Sequence, residues 1–269
     1  VDGLLRFRAA EVPVPPSPCE KIHNLLKPEN ICVIGVSGRD MNIGRVILRN
    51  LLKGDFTPDK LAIVKPGDDQ IDGVKCWPSI ADLPLTYDLV VVSVHAKQVP
   101  ATIKEIIDNG KAESIILITG GMGEKEGSEN LERELEEVIR DARSREDCGP
   151  VMVGGNSLGI ISRPGGYDTM FVPSSKLPLD PENPLGYNVA LVSQSGAFII
   201  SRMSKLAGLL PRYAFSTGNQ VDLGLADFVE HLYSDPEVRV FGCYAEGLGW
   251  LEGLKLAEAT GKITQSGGN

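Results

Sequence analysis

The stretch from Ile31 to Gly44, ICVIGVSGRDMNIG, constrains this chain more than any other. Ile31 to Ile34 is an unbroken apolar run of the kind that forms a strand buried on both faces. Gly35 and Gly38 punctuate a turn, and Ile43-Gly44-Arg45-Val46-Ile47-Leu48 opens an amphipathic helix. A strand that feeds a helix through a glycine turn commits the chain to α/β architecture. It also builds an anion seat, because free N–H groups and the positive end of the helix dipole face one point. An ordinary tight turn reads the same over so short a stretch, so the residues after Gly44 decide.

The alternation continues. Apolar strand candidates LAIVKP, LVVVSV and SIILIT follow, with VMVGG a fifth from Val151. Helices are expected over 43–53, 97–109 and 128–143, with one short turn at 79–83. Such an order gives a parallel sheet covered on both faces, whose ligands bind beyond the carboxyl ends of the strands. Those ends carry small or polar residues here: Gly35-Val36-Ser37-Gly38, Lys65-Pro66-Gly67, Ser93-Val94-His95-Ala96, Thr119-Gly120-Gly121 and Gly154-Gly155-Asn156. A first site is therefore expected on that rim. Lys65 suits a phosphate, although a solvated turn lysine looks the same in sequence. A histidine at a strand end, such as His95, can touch a phosphate or an amide without being catalytic.

Residues 1–27 are expected to be an arm, with the proline-rich VPVPPSPC ending at Cys19 and His23 in a short helical stretch before Pro28; residues 28–162 are expected to be the first domain, and 163–187 a linker with five prolines. A second domain over 188–269 begins with strand NVALVS, the turn Ser193-Gln194-Ser195-Gly196 and helix AFIISRMSKLAGLL. Ser and Gly at a helix N-terminus again make a phosphate seat, or simply a serine N-cap. Ser193 and Ser195 lack the first glycine of a hydrolase G-x-S-x-G elbow. Further on, Tyr213 to Ser216 and Val238 to Ala245 read as strands, with a helix from Leu225 to Tyr233 between them.

Composition narrows the function classes. A chain of 269 residues suits two domains, and 42% hydrophobic with 23% charged residues is a globular balance. With 27 basic against 36 acidic residues the net charge is −9, which argues against nucleic acid as a partner. Five scattered cysteines without a C-x-x-C pair argue for a reducing compartment, and against a zinc site or a disulfide framework. No apolar run has the length of a membrane span. The expectation is a cytoplasmic protein with no metal site and no membrane partner.

A dinucleotide site would show G-x-G-x-x-G and an acidic residue closing the second strand. Gly35, Gly38 and Gly44 have a different spacing, and Lys65 closes the second strand. A lysine there suits a ribose that carries a phosphate better than the bare ribose of NAD. An NAD-dependent oxidoreductase is disfavoured.

I-x-V-I-G-x-S, then IVKPGDDQIDGVKCWPSIADLP, VVVSVHA, ILITGGMGE and GGNSLGII, occur in order from Ile31 to Ile161. This series resembles the coenzyme A-binding domain of the NDP-forming acyl-CoA synthetases, relatives of the succinyl-CoA synthetase alpha subunit. Family members usually have V-N-P at Val64-Lys65-Pro66 and P-A at His95-Ala96. The resemblance implies a Rossmann-like domain in which Gly35, Ser37, Gly38, Lys65, Ser93, His95, Thr119, Gly120 and Asn156 line a CoA groove. S-Q-S-G-A, S-x-G-N-Q-x-D and Y-x-E-G, from Ser193 to Gly247, resemble the same family's flavodoxin-like domain. There the loop Ser193 to Gly196 is implied to face a phosphorylated histidine, and Glu246 to hold its ring.

The family histidine stands in a loop after the next strand. None of His23, His95 and His231 matches it, and no such strand precedes Asn269. The expectation is a truncated flavodoxin-like domain that is inactive alone. ADP or ATP, with Mg, would be bound only by an ATP-grasp domain or beta-type subunit in an oligomeric assembly. The implied reaction converts acyl-CoA, ADP and phosphate to acid, CoA and ATP through acyl phosphate and phosphohistidine. A rival reading is a CoA- or acyl-CoA-sensing module without catalysis, which would need no histidine.

Overall fold

The computed structural model describes residues 17–123, 128–172, 177, 185–206, 208–249 and 251–265. Residues 1–16 of the expected arm, and 173–176 and 178–184 of the expected linker, fall outside them. The first sheet contains β1 (Ile31–Ile34), β2 (Leu61–Val64), β3 (Gln70–Ile71), β4 (Val74–Trp77), β5 (Tyr87–Val92), β6 (Ala112–Leu117) and β7 (Val151–Gly154). Its order is β3-β4-β2-β1-β5-β6-β7, parallel throughout except for the β3–β4 hairpin. The expected helices appear as α2 (Ile43–Lys53), α3 (Val99–Asp108) and α4 (Glu129–Arg143).

The second sheet has the order β12-β10-β11-β8-β9, from β8 (Ile160–Ser162), β9 (Tyr167–Asp168), β10 (Tyr187–Ser193), β11 (Pro211–Ser216) and β12 (Val240–Tyr244). Strands β10, β11 and β12 are mutually parallel, and β8 joins β11 antiparallel. Helices α5 (Gly196–Lys205), α6 (Leu225–Tyr233) and α7 (Glu252–Gln265) accompany it.

Three sequence expectations meet a different arrangement. Residues 160–162, assigned to the first domain, pair with β11 in the second sheet. The expected linker carries β9, whose Tyr167 hydroxyl donates to the Leu25 carbonyl at 2.7 Å. The short helical stretch expected around His23 is α1 (Ile22–Leu26), but it buries Ile22, Leu25 and Leu26 instead of lying in a free arm. A five-residue helix shows too little periodicity for its buried face to be read from sequence. The short turn expected at 79–83 is present as a single hydrogen-bonded turn, Leu83 N–H donating to Ile80 O at 3.2 Å, and not as a helix.

One apolar cluster runs through both sheets. It joins Ile31, Val33, Leu89 and Val91 of the first to Ala190, Val192, Tyr213 and Phe215 of the second, with Phe228 and Leu232 from α6. The segment 219–223 lies along the outer edge of β7: Asn219 N–H donates to Gly155 O and Val221 N–H to Gly154 O, both at 2.8 Å, and Leu223 N–H to Met152 O at 3.0 Å. An open strand edge is thereby closed by backbone pairing.

Asp222, in the middle of that segment, carries the polar link. Its carboxylate meets Arg143 Nη2 of α4 at 2.5 Å, with side chains 4% and 1% exposed. It also accepts from Met152 N–H at 2.8 Å and from Ser17 Oγ at 2.5 Å. A buried pair contributes little net stability but is costly to break, because one charge is left uncompensated. Asp222→Ala is therefore expected to lower the stability of the whole chain by about 3–5 kcal/mol, read as a shift in the urea unfolding midpoint at constant slope.

Candidate functional sites on two rims

In the first sheet the order reverses between β1 and β5, and a crevice opens beyond the carboxyl ends of two such strands. Gly35 leaves β1 with φ of +99°, and a Cβ there would lie 2.6 Å from the Ser93 carbonyl at the end of β5. A Cβ on Gly44, at the start of α2, would lie 2.7 Å from both Gly35 O and Ser93 Oγ. Turn, helix start and strand end thus approach more closely than any side chain permits.

Asn42, which the sequence reading passed over, holds this turn. It is the N-cap of α2: Oδ1 accepts from Arg45 N–H at 3.0 Å and Ser37 N–H at 3.1 Å, while Nδ2 donates to Gly35 O at 2.7 Å. The signal was present, since Asn immediately before an amphipathic run marks a helix start. Ser37 is turned inward on its own loop, its Oγ accepting from Asp40 N–H at 3.0 Å. The seat facing the crevice is therefore built from the N–H groups of Ile43 and Gly44, which have no partner among the described residues.

The neighbouring rim positions are fixed from the same side. Thr119 Oγ1 donates to Val94 O at 2.7 Å, and Asn156 N–H to Thr119 O at 2.9 Å. A Cβ on Gly120 would lie 2.6 Å from Asn156 Oδ1, so Gly120 and Asn156 adjoin. Lys65 follows β2, half-buried, its N–H donating to Trp77 O at 2.8 Å, and its ammonium has no ion-pair partner among the described residues. Gly38 lies against Asp68, which a Cβ would meet at 2.7 Å. His95 is exposed and precedes a single 3-10 turn.

The second rim lies at the carboxyl ends of β10 and β12. Ser195 caps α5 by accepting from Phe198 N–H at 3.3 Å. Ser193 is buried, its Oγ donating to Ser195 O at 2.8 Å. Gln194 does something the sequence did not indicate. Its Oε1 accepts from the N–H groups of Glu246 and of Gly247 (2.9 Å to the latter), and its Nε2 donates to Gly247 O at 2.7 Å. Its amide is thereby committed to the loop that bears Glu246 rather than to an anion. Stacking of Phe198 on Tyr244, with ring centroids 4.3 Å apart, ties the same two elements.

Glu246 is exposed at a cleft of about 550 Å³ lined also by Asn219, Gln220, Asp227, Glu252 and Lys255. Glu252 is a second residue the sequence reading missed. This buried carboxylate accepts from Leu225 N–H, the first turn of α6, and from Gly249 N–H, each at 2.8 Å. It fills that helix N-terminus, so the open carboxylate on this wall is Glu246. Neither His23, in α1, nor His95, on the first rim, lines the cleft; nor does His231, in α6, where burial lowers its pKa. Among the described residues no group of three His, Cys, Asp or Glu is placed to hold a metal ion. None of the described helices is long and apolar enough to cross a membrane.

Comparison with known proteins places both rims in context. Residues 29–162 match a family described as a CoA binding domain, and residues 187–266 one described as a succinyl-CoA ligase like flavodoxin domain. The ADP-forming acetate–CoA ligase II of Archaeoglobus fulgidus is 28% identical over 84% of this chain and 32% of its own length. The alpha subunit of the ADP-forming acetate–CoA ligase II of Pyrococcus furiosus is 28% identical over 88% of this chain and 48% of its own. A solved structure of acetyl-coenzyme A synthetase 1 from Ca. Korarchaeum cryptofilum, in complex with phosphate and ADP, superposes with a TM-score of 0.78 at 31% identity. It covers 90% of this chain and 49% of the solved one. The chain thus spans about a third to a half of the length of these relatives.

Removing the Gln194 amide should loosen the Glu246 loop while the fold persists. Gln194→Ala is expected to speed hydrogen exchange at the Glu246 and Gly247 amides and to cost about 1–2 kcal/mol of global stability, with exchange at buried β10 amides following only the global change.

Proposed function

We propose, because the chain belongs to the NDP-forming acyl-CoA synthetase family, that it supplies the CoA-binding and phosphohistidine-docking part of such a ligase. The observation that carries this reading is the coincidence at one point of the β1–β5 reversal, the Gly35–Gly44 approach and the open N–H groups of α2. A diphosphate lies best where a helix N-terminus and a strand reversal meet. Lys65, Ser93 and Thr119 stand on the adjoining strand ends, where the nucleotide and pantetheine would cross. Ser37 and Gly38 shape the turn, and Gly120 and Asn156 shape the far side of the groove. The matched relatives are named as ligases, which favours catalysis over a sensing module.

The reaction proposed is attack of phosphate on acyl-CoA, giving acyl phosphate and CoA, then phosphoryl transfer from acyl phosphate to an imidazole with release of the carboxylic acid, and from phosphohistidine to ADP, giving ATP and the free imidazole. In this chain the work is positional and electrostatic. The N-terminus of α5, capped by Ser195, faces phosphoryl charge beside the second rim. Glu246 accepts the imidazole N–H, fixing the tautomer whose other nitrogen takes the phosphoryl group. The nucleotide, with Mg, is handled by an ATP-grasp domain or a beta-type partner; one relative is itself named as an alpha subunit.

Two outcomes test the reading. Calorimetric titration should show saturable binding of CoA and none of NAD, and Lys65→Glu should weaken CoA by about 1–3 kcal/mol, since it reverses a charge beside phosphates at partial exposure. Unchanged affinity in that variant would remove Lys65 from the groove. Incubated with acyl-CoA and phosphate, this chain should acquire no acid-labile phosphate on His23, His95 or His231. Labelling should appear when the ATP-grasp partner and the histidine loop are supplied, and Glu246→Gln should slow it.

A further inference from the structure

The β3–β4 hairpin turns at Asp72 and Gly73, with φ of +49° and +86°, and lays Asp72 against α2. Two arginines one helical turn apart receive it. Arg45 donates from Nε and Nη2 to the two carboxylate oxygens at 3.1 and 2.8 Å, and Arg49 donates from Nε at 2.9 Å. Arg45 also reaches back to Gly38 O at 3.3 Å, so one guanidinium spans the glycine turn and the hairpin. Two guanidinium groups against one carboxylate leave a positive charge in excess. The cluster is also accessible: the side chains of Arg45, Arg49 and Asp72 are 16%, 46% and 20% exposed.

A carboxylate in a bidentate fork presents two acceptor oxygens where a phosphomonoester would present two of its three, and the phosphomonoester carries the larger negative charge. The position matters as much. In an open parallel sheet the adenosine end of a nucleotide lies beside the end of the second strand and the first helix, where an arginine accommodates a phosphate on the ribose. Arg45 and Arg49 occupy that flank of α2, and the hairpin bearing Asp72 follows β2 directly.

We propose that Arg45 and Arg49 form the seat for the ribose 3′-phosphate of CoA, and that Asp72 is its exchangeable stand-in, displaced when the phosphomonoester arrives. The inference rests on the CoA reading above and adds to it the discrimination of CoA from dephospho-CoA. Asp72 keeps the guanidinium groups aligned in the free protein, so the seat is formed before the ligand enters. The same carboxylate weakens any ligand that cannot displace it.

Titration of the full chain with CoA and with dephospho-CoA at one ionic strength tests this. Wild type should prefer CoA by about ten- to a hundred-fold, the range of hydrogen bonds to a charged group. The double variant Arg45→Gln, Arg49→Gln should bring that ratio close to one and leave dephospho-CoA binding within about twofold of wild type. The single variant Arg49→Gln, at the more exposed position, should lower the ratio with the hairpin still docked through Arg45. Asp72→Asn should raise the ratio, because the competitor is neutral. A ratio unchanged in both arginine variants, or an Asp72→Asn ratio equal to or below that of wild type, overturns the inference while the CoA reading stands. Absence of CoA binding in the wild type removes the CoA reading, and this inference with it.

Discussion

Asp222 is the residue on which the relation between the two sheets depends. A carboxylate and a guanidinium removed from water each carry a desolvation cost of several kcal/mol. Here the cost is offset by closeness and by two further donors to the same carboxylate, Met152 N–H and Ser17 Oγ. Such an arrangement is demanding in geometry, since each donor comes from a different part of the chain. Satisfying all of them fixes where the second unit sits along β7, and the apolar cluster shared by the sheets fills in around that register. Positions on both rims inherit their precision from it.

How much was legible follows from the range over which each residue acts. Gly35 marked the turn after β1, whereas the close approach of Gly35 and Gly44 to Ser93 could not be told in sequence from an ordinary tight turn. The α2 and α6 boundaries followed from local periodicity. The β3–β4 hairpin was not foreseen, although Asp72-Gly73 is a local signal for a two-residue turn. Gln194 was not readable. Beside two serines at a strand end it looks like part of an anion loop, and its partners at Glu246 and Gly247 are 52 and 53 positions away. Arg143 and Asp222, 79 positions apart, lie on a surface-type helix and in a loop, where charged residues are ordinary. Nothing local distinguishes a solvated pair from a buried one.

In the proposed reading the two rims meet one electrostatic problem by different means. On the first, the backbone of α2 and the half-buried Lys65 would present positive potential to a ligand bearing several negative charges. On the second, a helix start and the Glu246 carboxylate would serve a phosphoryl group on one side and an imidazole on the other. Glu252 matters in that setting because it closes the N-terminus of α6 from within. A second open helix start in the same cleft would give the phosphoryl group a competing place to rest.

The backbone pairing of 219–223 with the edge of β7 bears on how the chain folds. Until the second unit has formed that segment, the first sheet ends in a strand with unpaired amides. The second sheet, in turn, draws part of its apolar contact from residues of the first. Opening of either unit therefore exposes groups that the other covers, which couples the protection of the two. The contacts that close the assembly, such as Arg143 with Asp222, are distant in sequence, so forming them carries a loop-closure cost that the local turns and helices do not.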